Sequence, residues 1–252
     1  MAAEGAPSGL DYLVAIMRRL RDPVNGCAWD RVQSFETIAP YTIEEAYEVA
    51  DAVARGDMAG LLDELGDLQL QVVYHARIAE ELGLFNIDNV LDVIADKMVR
   101  RHPHVFGEEN DSPGWEALKA AERGGSEDKS ALAHVALALP ALKRAEKIQR
   151  RAARVGFDWP DMSGPRAKID EELAEIESAQ TQDELVHEIG DLLFSVVNYA
   201  RHRDVDPEAA LREAVARFER RFRKVEEIAD KPLSTMDIEA LEALWQRAKQ
   251  AL

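Results

Sequence analysis

The chain predicts an all-α fold built from two copies of one helical unit. Three observations lead there. Of 252 residues, 46% are hydrophobic but only 6% are aromatic, and Ala, Leu, Glu and Arg, all strong helix formers, are abundant. No long run alternates apolar and polar residues as half-buried strands do. Finally, a series of landmarks in the first half returns in the same order in the second.

The elements follow in order. A helical pattern runs from about Leu10 to Arg21 and stops at Asp22-Pro23, before a loop with the turn signal Asn25-Gly26. Thr42, with Glu45 three residues on, reads as a capping box opening a helix that holds Glu44, Glu45 and Glu48 and fades by Gly56. The next helix runs from Met58 to Leu82, holds Glu64 and Asp67, and stops at Gly83; another covers Ile87 to Arg101 and ends before His102-Pro103. Residues 107–130 are polar and Gly-rich and read as linker, with one turn of helix around Trp115 to Glu122.

A helix from Leu139 to Arg154 then opens the second copy. Gly156-Phe157-Asp158-Trp159 echoes Gly26-Cys27-Ala28-Trp29 at a shift of 130, and Trp245-x-x-x-Lys249 echoes Trp115-x-x-x-Lys119 at the same shift. The acidic stretch Glu171, Glu172, Glu175 repeats Glu44, Glu45, Glu48 at 127, and Glu188 with Asp191 repeats Glu64 with Asp67 at 124. Arg217-x-x-Arg220-Arg221 repeats Lys97-x-x-Arg100-Arg101 at 120. The expected organisation is a first repeat over 8–122, a linker over 123–134 and a second repeat over 135–252.

Net charge is −17, which argues against general binding of nucleic acid or anionic membranes. The charge is uneven: residues 1–130 carry 12 basic and 25 acidic residues, residues 131–252 carry 19 and 23. The single cysteine, Cys27, permits no intrachain disulfide and reads as an ordinary small buried residue. The start of the chain lacks the basic and apolar regions of a signal peptide, and no run approaches the ~18 apolar residues of a membrane span. A cytoplasmic protein is expected.

One Glu-Glu-x-x-Glu on a helix reads as a solvated face. Two copies, each followed by Glu-x-Gly-Asp within an apolar helix, do not. Carboxylates at spacings of three and four share a helix face, and two facing helices of this kind aim four or five of them at one small volume. Such a group repels itself without a counter-charge, and hard oxygen donors suit Mg²⁺ or Mn²⁺. The glycine costs about 1 kcal/mol of helix propensity relative to Ala and implies close helix approach or ligand clearance. Glu184 and His187 form the one Glu-x-x-His spacing of di-iron bundles, but Gly60 and Asp63 stand at the matching first-half positions, so the pattern lies outside the repeat. The paired arginines after each acidic motif match phosphate oxygens. Trp245 and Trp115 either stack on a base or pack in the core.

These residues, together with Arg18-Arg19-Leu20-Arg21-Asp22-Pro23, Ala39-Pro40-Tyr41-Thr42, Arg100-Arg101-His102-Pro103-His104-Val105-Phe106, Val155-Gly156-Phe157-Asp158-Trp159 and Phe218-Glu219-Arg220-Arg221-Phe222, resemble the two-domain MazG family of nucleoside triphosphate pyrophosphohydrolases, of the all-α NTP-pyrophosphatase superfamily. The resemblance covers nearly the whole chain. It implies helical bundles that form a homodimer and hydrolysis of NTPs or dNTPs between the α and β phosphates. It implies Mg²⁺ held by Glu172, Glu175, Glu188 and Asp191, with Glu171 as a further ligand or orienting group, and a second possible site at Glu45, Glu48, Glu64 and Asp67. Attack of an activated water on the α-phosphorus, with one of these glutamates as base, is the expected chemistry. Arg217, Arg220 and Arg221 are expected to neutralise phosphate charge, with Lys168, His187 and Trp245 as further substrate contacts. Tyr41 stands where the second half has Lys168, so the second half is expected to be the main catalytic unit. A dimeric regulator that senses nucleotide or metal without turning it over is the alternative; pyrophosphate release separates the two.

Overall fold

A computed structural model describes residues 9–107 and 128–251. The chain divides into two compact units between Arg123 and Gly124. Among the described residues there is no β-strand. The Trp115–Glu122 helical turn, and Trp115 itself, lie outside the described residues.

The first unit begins with α1 (Gly9–Leu20), which has Asp11 in its first turn and Arg18 and Arg19 in its last, as the helix dipole favours. It ends where the Asp22 carboxylate accepts from the Val24 and Asn25 amides at 3.0 and 2.6 Å. After a 3₁₀ turn at Asp30–Val32 comes α2 (Phe35–Arg55). The expected start of this helix at Thr42 is wrong. Ser34 is the N-cap: its hydroxyl accepts from the Thr37 amide, and the Thr37 hydroxyl accepts from the Ser34 amide. This earlier reciprocal cap extends the helix through Pro40, whose missing N–H costs one helical bond. Thr42 lies within the helix and its hydroxyl sits 3.0 Å from His75 Nε2.

Gly56, at φ 67°, ends α2 in the left-handed conformation that glycine adopts without strain. Asp57 immediately caps α3 (Met58–Glu81), so the two helices form a tight antiparallel hairpin. α4 (Ile87–Arg101), capped by Asn86, and the single turn α5 (Pro103–Phe106) follow. The core gathers Met17, Ile38, Val73, Tyr74, Ala76, Ile78 and Ile87. It lies against the C-terminal half of α3. The N-terminal half, with Glu64 and Asp67, keeps Leu62 and Leu65 exposed. Cys27 is exposed rather than buried, because it sits in the loop and not on a core-facing helix.

The second unit repeats the order of the first four helices with α6 (Ala141–Arg154), α7 (Ser163–Ser178), α8 (Gln182–Arg201) and α9 (Pro207–Ile228), followed, after a 3₁₀ turn at Leu233–Thr235, by α10 (Ile238–Gln250). α7 and α8 form the acidic hairpin. Asp206 caps α9 with Pro207 at its first position, and Asp237 caps α10. Val225, Leu244 and Ala248 form a small core. α6, like α1 with the Arg18–Glu80 and Arg21–Glu81 pairs at its end, is tied by charge. Its buried Glu146 takes Lys143 at 2.9 Å and Arg150 at 2.8 Å, and Lys143 also reaches Asp206 at 2.6 Å. Arg151 is buried and donates to the Ala133 carbonyl.

Candidate active site

Each acidic hairpin brings three carboxylates of its motif together. In the first unit, one carboxylate oxygen from each of Glu45, Glu48 and Glu64 lies within 4.8 Å of the others. Burial, with the Asp67 and Glu48 charges added, raises the proton affinity of Glu45; burial and Glu48 do the same for Glu64. Gln71, buried beneath the group, donates to Glu45 at 3.3 Å and leaves its own carbonyl oxygen without a partner.

In the second unit Glu172, Glu175 and Glu188 converge in the same way, and Glu188 is shared with a group containing His187 and Asp191. Glu172 is only 3% exposed, whereas Glu171 and Glu175 lie at the surface. The carboxylates set in the apolar Glu-x-Gly-Asp segments are not deeply buried: Glu64, Glu188 and Asp191 are half-buried and Asp67 is exposed. The flanking Val186, Ile189 and Leu193 are themselves exposed. Burial, together with Glu188 and Glu172, raises Glu175 above the ordinary carboxyl range.

The two clusters differ in charge balance. Lys168 places its ammonium 2.6 Å from Glu172 and 3.0 Å from Glu171, and these carboxylates, Glu172 first, hold the lysine proton above its ordinary affinity. At the matching position of the first unit, Tyr41 packs edge-on against Trp29 with ring centres 6.3 Å apart. Lys168 thus reaches the carboxylates one turn along its own helix.

The glycines between the paired carboxylates do not mark close packing. A Cβ on Gly66 or on Gly190 would meet nothing within 4 Å, so the close-approach expectation falls and open space beside the carboxylates stands. Glu184 is occupied at the start of α8, where it accepts from the Gln180 and Thr181 amides at 2.7 and 3.2 Å while Thr181 accepts from Glu184. This capping box explains the Glu-x-x-His spacing without iron. His187 is exposed at the rim, 3.5 Å from Glu188 and 3.6 Å from Asp191.

Arg217, Arg220 and Arg221 lie on α9. Among the described residues, no hydrogen bond or ion pair joins them to Glu172, Glu175, Glu188 or Asp191. Arg221 lies over the Trp245 ring at 6.0 Å, and Trp245 packs on Phe218 with ring centres 5.3 Å apart at the edge of the α9–α10 core. Lys97, Arg100 and Arg101 occupy the end of α4.

The sequence reading passed over Gln149, Asn198 and Arg201, which line a cavity between α6, α8 and the Gly156–Trp159 loop. The repeated tryptophan marked that loop as a landmark, but nothing in the sequence places two amides against it. As donor sets, the two carboxylate groups fit a hard divalent cation: all their donors are oxygens and they converge from two helices.

Comparison with known proteins agrees with this organisation. Residues 33–106 match the profile described as the MazG nucleotide pyrophosphohydrolase domain, and residues 136–218 match that of phosphoribosyl-ATP pyrophosphohydrolase. The chain is 47% identical over 255 residues to a nucleoside triphosphate pyrophosphohydrolase of Escherichia coli K12, covering 96% of this chain and 97% of the relative. It is 46% identical over 247 residues to the Thermotoga maritima protein called nucleoside triphosphate pyrophosphohydrolase/pyrophosphatase MazG, covering 95% of each. A Mycobacterium tuberculosis nucleoside triphosphate pyrophosphohydrolase is 39% identical over 151 residues, covering 57% of this chain and 45% of the relative.

Proposed function

The chain belongs to the MazG nucleotide pyrophosphohydrolase family, and from that premise we propose that it cleaves NTPs and dNTPs between the α and β phosphates, clearing unwanted nucleotides from the pool, with the second unit as its main catalytic centre. The observation that carries this reading is the convergence of Glu172, Glu175 and Glu188 beside Lys168.

In this proposal Glu172, Glu175, Glu188 and Asp191 hold Mg²⁺, or Mn²⁺ in its place. The ion, when bound, supplies charge neutralisation for the phosphates and lowers the cost of ionising a water. The chain supplies the rest. Glu172, buried and pinned by Lys168, fixes the inner wall of the site. Lys168 balances part of the carboxylate charge, so a polyphosphate meets less repulsion here than at the first cluster. Glu171, held by the same lysine at the rim, orients the entering groups. A carboxylate of the cluster takes the proton of the attacking water. Arg217, Arg220 and Arg221 meet the phosphates from α9, and His187 meets them at the rim. Trp245 holds Arg221 by ring contact.

The first cluster, Glu45, Glu48, Glu64 and Asp67, is proposed to bind a cation without being the main site of turnover. A homodimer is part of the same reading. It is supported by the exposed apolar residues Leu62 and Leu65 on α3 and Val186, Ile189 and Leu193 on α8.

The test is pyrophosphate release from a panel of NTPs and dNTPs with Mg²⁺. Glu172→Gln is expected to lower kcat/KM by more than the ~10–100-fold typical of losing a partner to a metal ligand, with the helical circular dichroism unchanged. Glu175→Gln is expected to cost far more than Glu48→Gln. Equal losses would sink the assignment of unequal units, and normal turnover by Glu172→Gln would sink the site.

A further inference from the structure

The first unit carries most of the chain's negative charge, yet three arginines surround one cavity within it. The cavity measures about 490 Å³, a size typical of small-molecule sites. Arg21 and Pro23 line it from the end of α1, Arg31 and Val32 from the 3₁₀ turn, and Arg77 and Glu81 from α3. Three guanidinium groups thus meet one carboxylate. The acidic cluster lies elsewhere: Asp67 and Arg77 are ten residues apart on α3, about 15 Å of helix.

The three arginines differ in what they have left to donate. Arg21 is committed. Its side chain is 5% exposed, Nε and Nη2 hold Glu81 at 3.0 and 2.7 Å, and Nη1 donates to the Asp30 and Gln33 carbonyls at 2.6 and 3.2 Å. It is a fixed positive floor. Arg77 spends Nε on Glu81 at 2.9 Å and Nη1 on Glu80 at 3.0 Å, which leaves Nη2 outside both pairs. Arg31 donates from Nη1 to the Pro23 carbonyl at 2.9 Å, and among the described residues no carboxylate forms an ion pair with it. The other carboxylates nearby are already engaged. Glu80 also takes Arg18 at 3.0 Å, Asp22 accepts from the Val24 and Asn25 amides, and Asp30 accepts from the Tyr74 hydroxyl at 3.0 Å.

The second unit does not repeat this arrangement. At the repeat shifts of 130 and 124, Asp161 stands for Arg31 and Val205 for Glu81. Asp161 accepts from the Ser163 amide at 2.8 Å and so serves its own loop. The cationic cavity therefore belongs to the first unit's sequence.

We infer that this cavity binds a small phosphate-type oxyanion, at a site separate from both carboxylate clusters. Oxygens of the anion accept from the unspent N–H groups of Arg31 and Arg77, in the forked geometry that guanidinium offers to phosphate. Arg21 and Glu81 hold the floor beneath. Arg31 stands on the loop and Arg77 on α3, so the anion ties the two together. That loop leads into Ser34, the N-cap of the helix that carries Glu45 and Glu48. The ligand steadies the first unit and takes no part in bond cleavage. Its chemical class is inorganic phosphate or pyrophosphate, or the phosphoryl end of a small metabolite.

The experiment uses the full chain in low-salt buffer with EDTA, so that no metal-dependent binding contributes. Phosphate, pyrophosphate and AMP are titrated by calorimetry, and amide hydrogen exchange locates the site. At least one of the three is expected to bind and to slow exchange across residues 22–33. Tighter binding of AMP than of the inorganic ions identifies a phosphorylated metabolite as the source; the reverse order identifies the free ion. Arg31→Ala is expected to weaken binding about tenfold, as loss of a charge-assisted hydrogen bond does. Val32→Glu, at a position 75% exposed, adds a negative charge at the rim without removing any of the bonds above, and is expected to weaken binding likewise. Absence of binding by all three at millimolar concentration overturns the inference. So does affinity unchanged in both variants, or protection that appears on α7 and α8 and is lost on Arg217→Ala. Neither readout uses turnover, so the result stands apart from the hydrolase reading.

Discussion

Asp158 shows how one side chain can set the acid limit of a unit. It accepts from Arg201 and His202 and from the Trp159 amide, and these bonds, the Arg201 pair above all, hold its pKa down at about 2 against an ordinary 3.8. A carboxylate depressed in the folded state stabilises it fully above the ordinary value, and that contribution is lost as pH falls through the folded one. The difference corresponds to about 2 kcal/mol. Denaturant titrations of the wild type should therefore show stability falling between about pH 4 and 2, and Asp158→Asn should flatten that slope. An unchanged slope would remove Asp158 as its source. At this scale the sequence was legible in its charges and opaque in its partners. The carboxylates of the repeat were found by spacing alone. The orphan carbonyls of Gln71 and Gln149 were not, since an amide in a helix looks the same whether or not its oxygen is satisfied.

At the scale of elements, the boundaries of α3 and α4 followed from glycine stops and periodicity. The start of α2 did not. Thr42 with Glu45 matches the capping-box pattern, but Ser34 with Thr37 is the cap the fold uses, and the earlier start carries Ile38 into the core. Ser34→Ala should cost about 1 kcal/mol, as loss of an N-cap typically does. Thr42→Ala should leave the helix in place. Thermal melts of the two variants decide between them, and a larger loss at Thr42 would restore the later start. The glycines within Glu-x-Gly-Asp make the opposite argument. Since no atom crowds Gly190, Gly190→Ala should stabilise the chain by roughly 0.5–1 kcal/mol through helix propensity. If the space beside it serves the substrate, the same change should depress turnover. A variant both more stable and fully active would show that the gap has no use.

The whole molecule has two units that share the order of their first four helices, and in each the first helix is tied by charge. α1 packs on the first unit's contiguous apolar core and also pairs Arg18 and Arg21 with Glu80 and Glu81, while α6 carries the Lys143–Glu146–Arg150 cluster and reaches Asp206 through Lys143. The fold class and the repeat were legible because helical periodicity and recurring motifs are properties of the string. The exposure of Leu62, Leu65, Val186 and Leu193 is a property of what covers them, which a string does not hold. If a second copy covers them, sedimentation should give a dimer, and Leu65→Lys with Leu193→Lys should convert it to a monomer with reduced activity. A monomeric wild type at micromolar concentration would end that reading.

The surface position of Cys27 bears on that same measurement through redox chemistry. A lone exposed thiol has no partner within its own chain, so oxidation by dissolved oxygen joins it to the thiol of another. Chains stored without reductant should accumulate a linked pair that survives detergent and parts with dithiothreitol. Sedimentation must therefore be run under reductant, or on Cys27→Ser, before any pairing of chains is credited to the acidic hairpins.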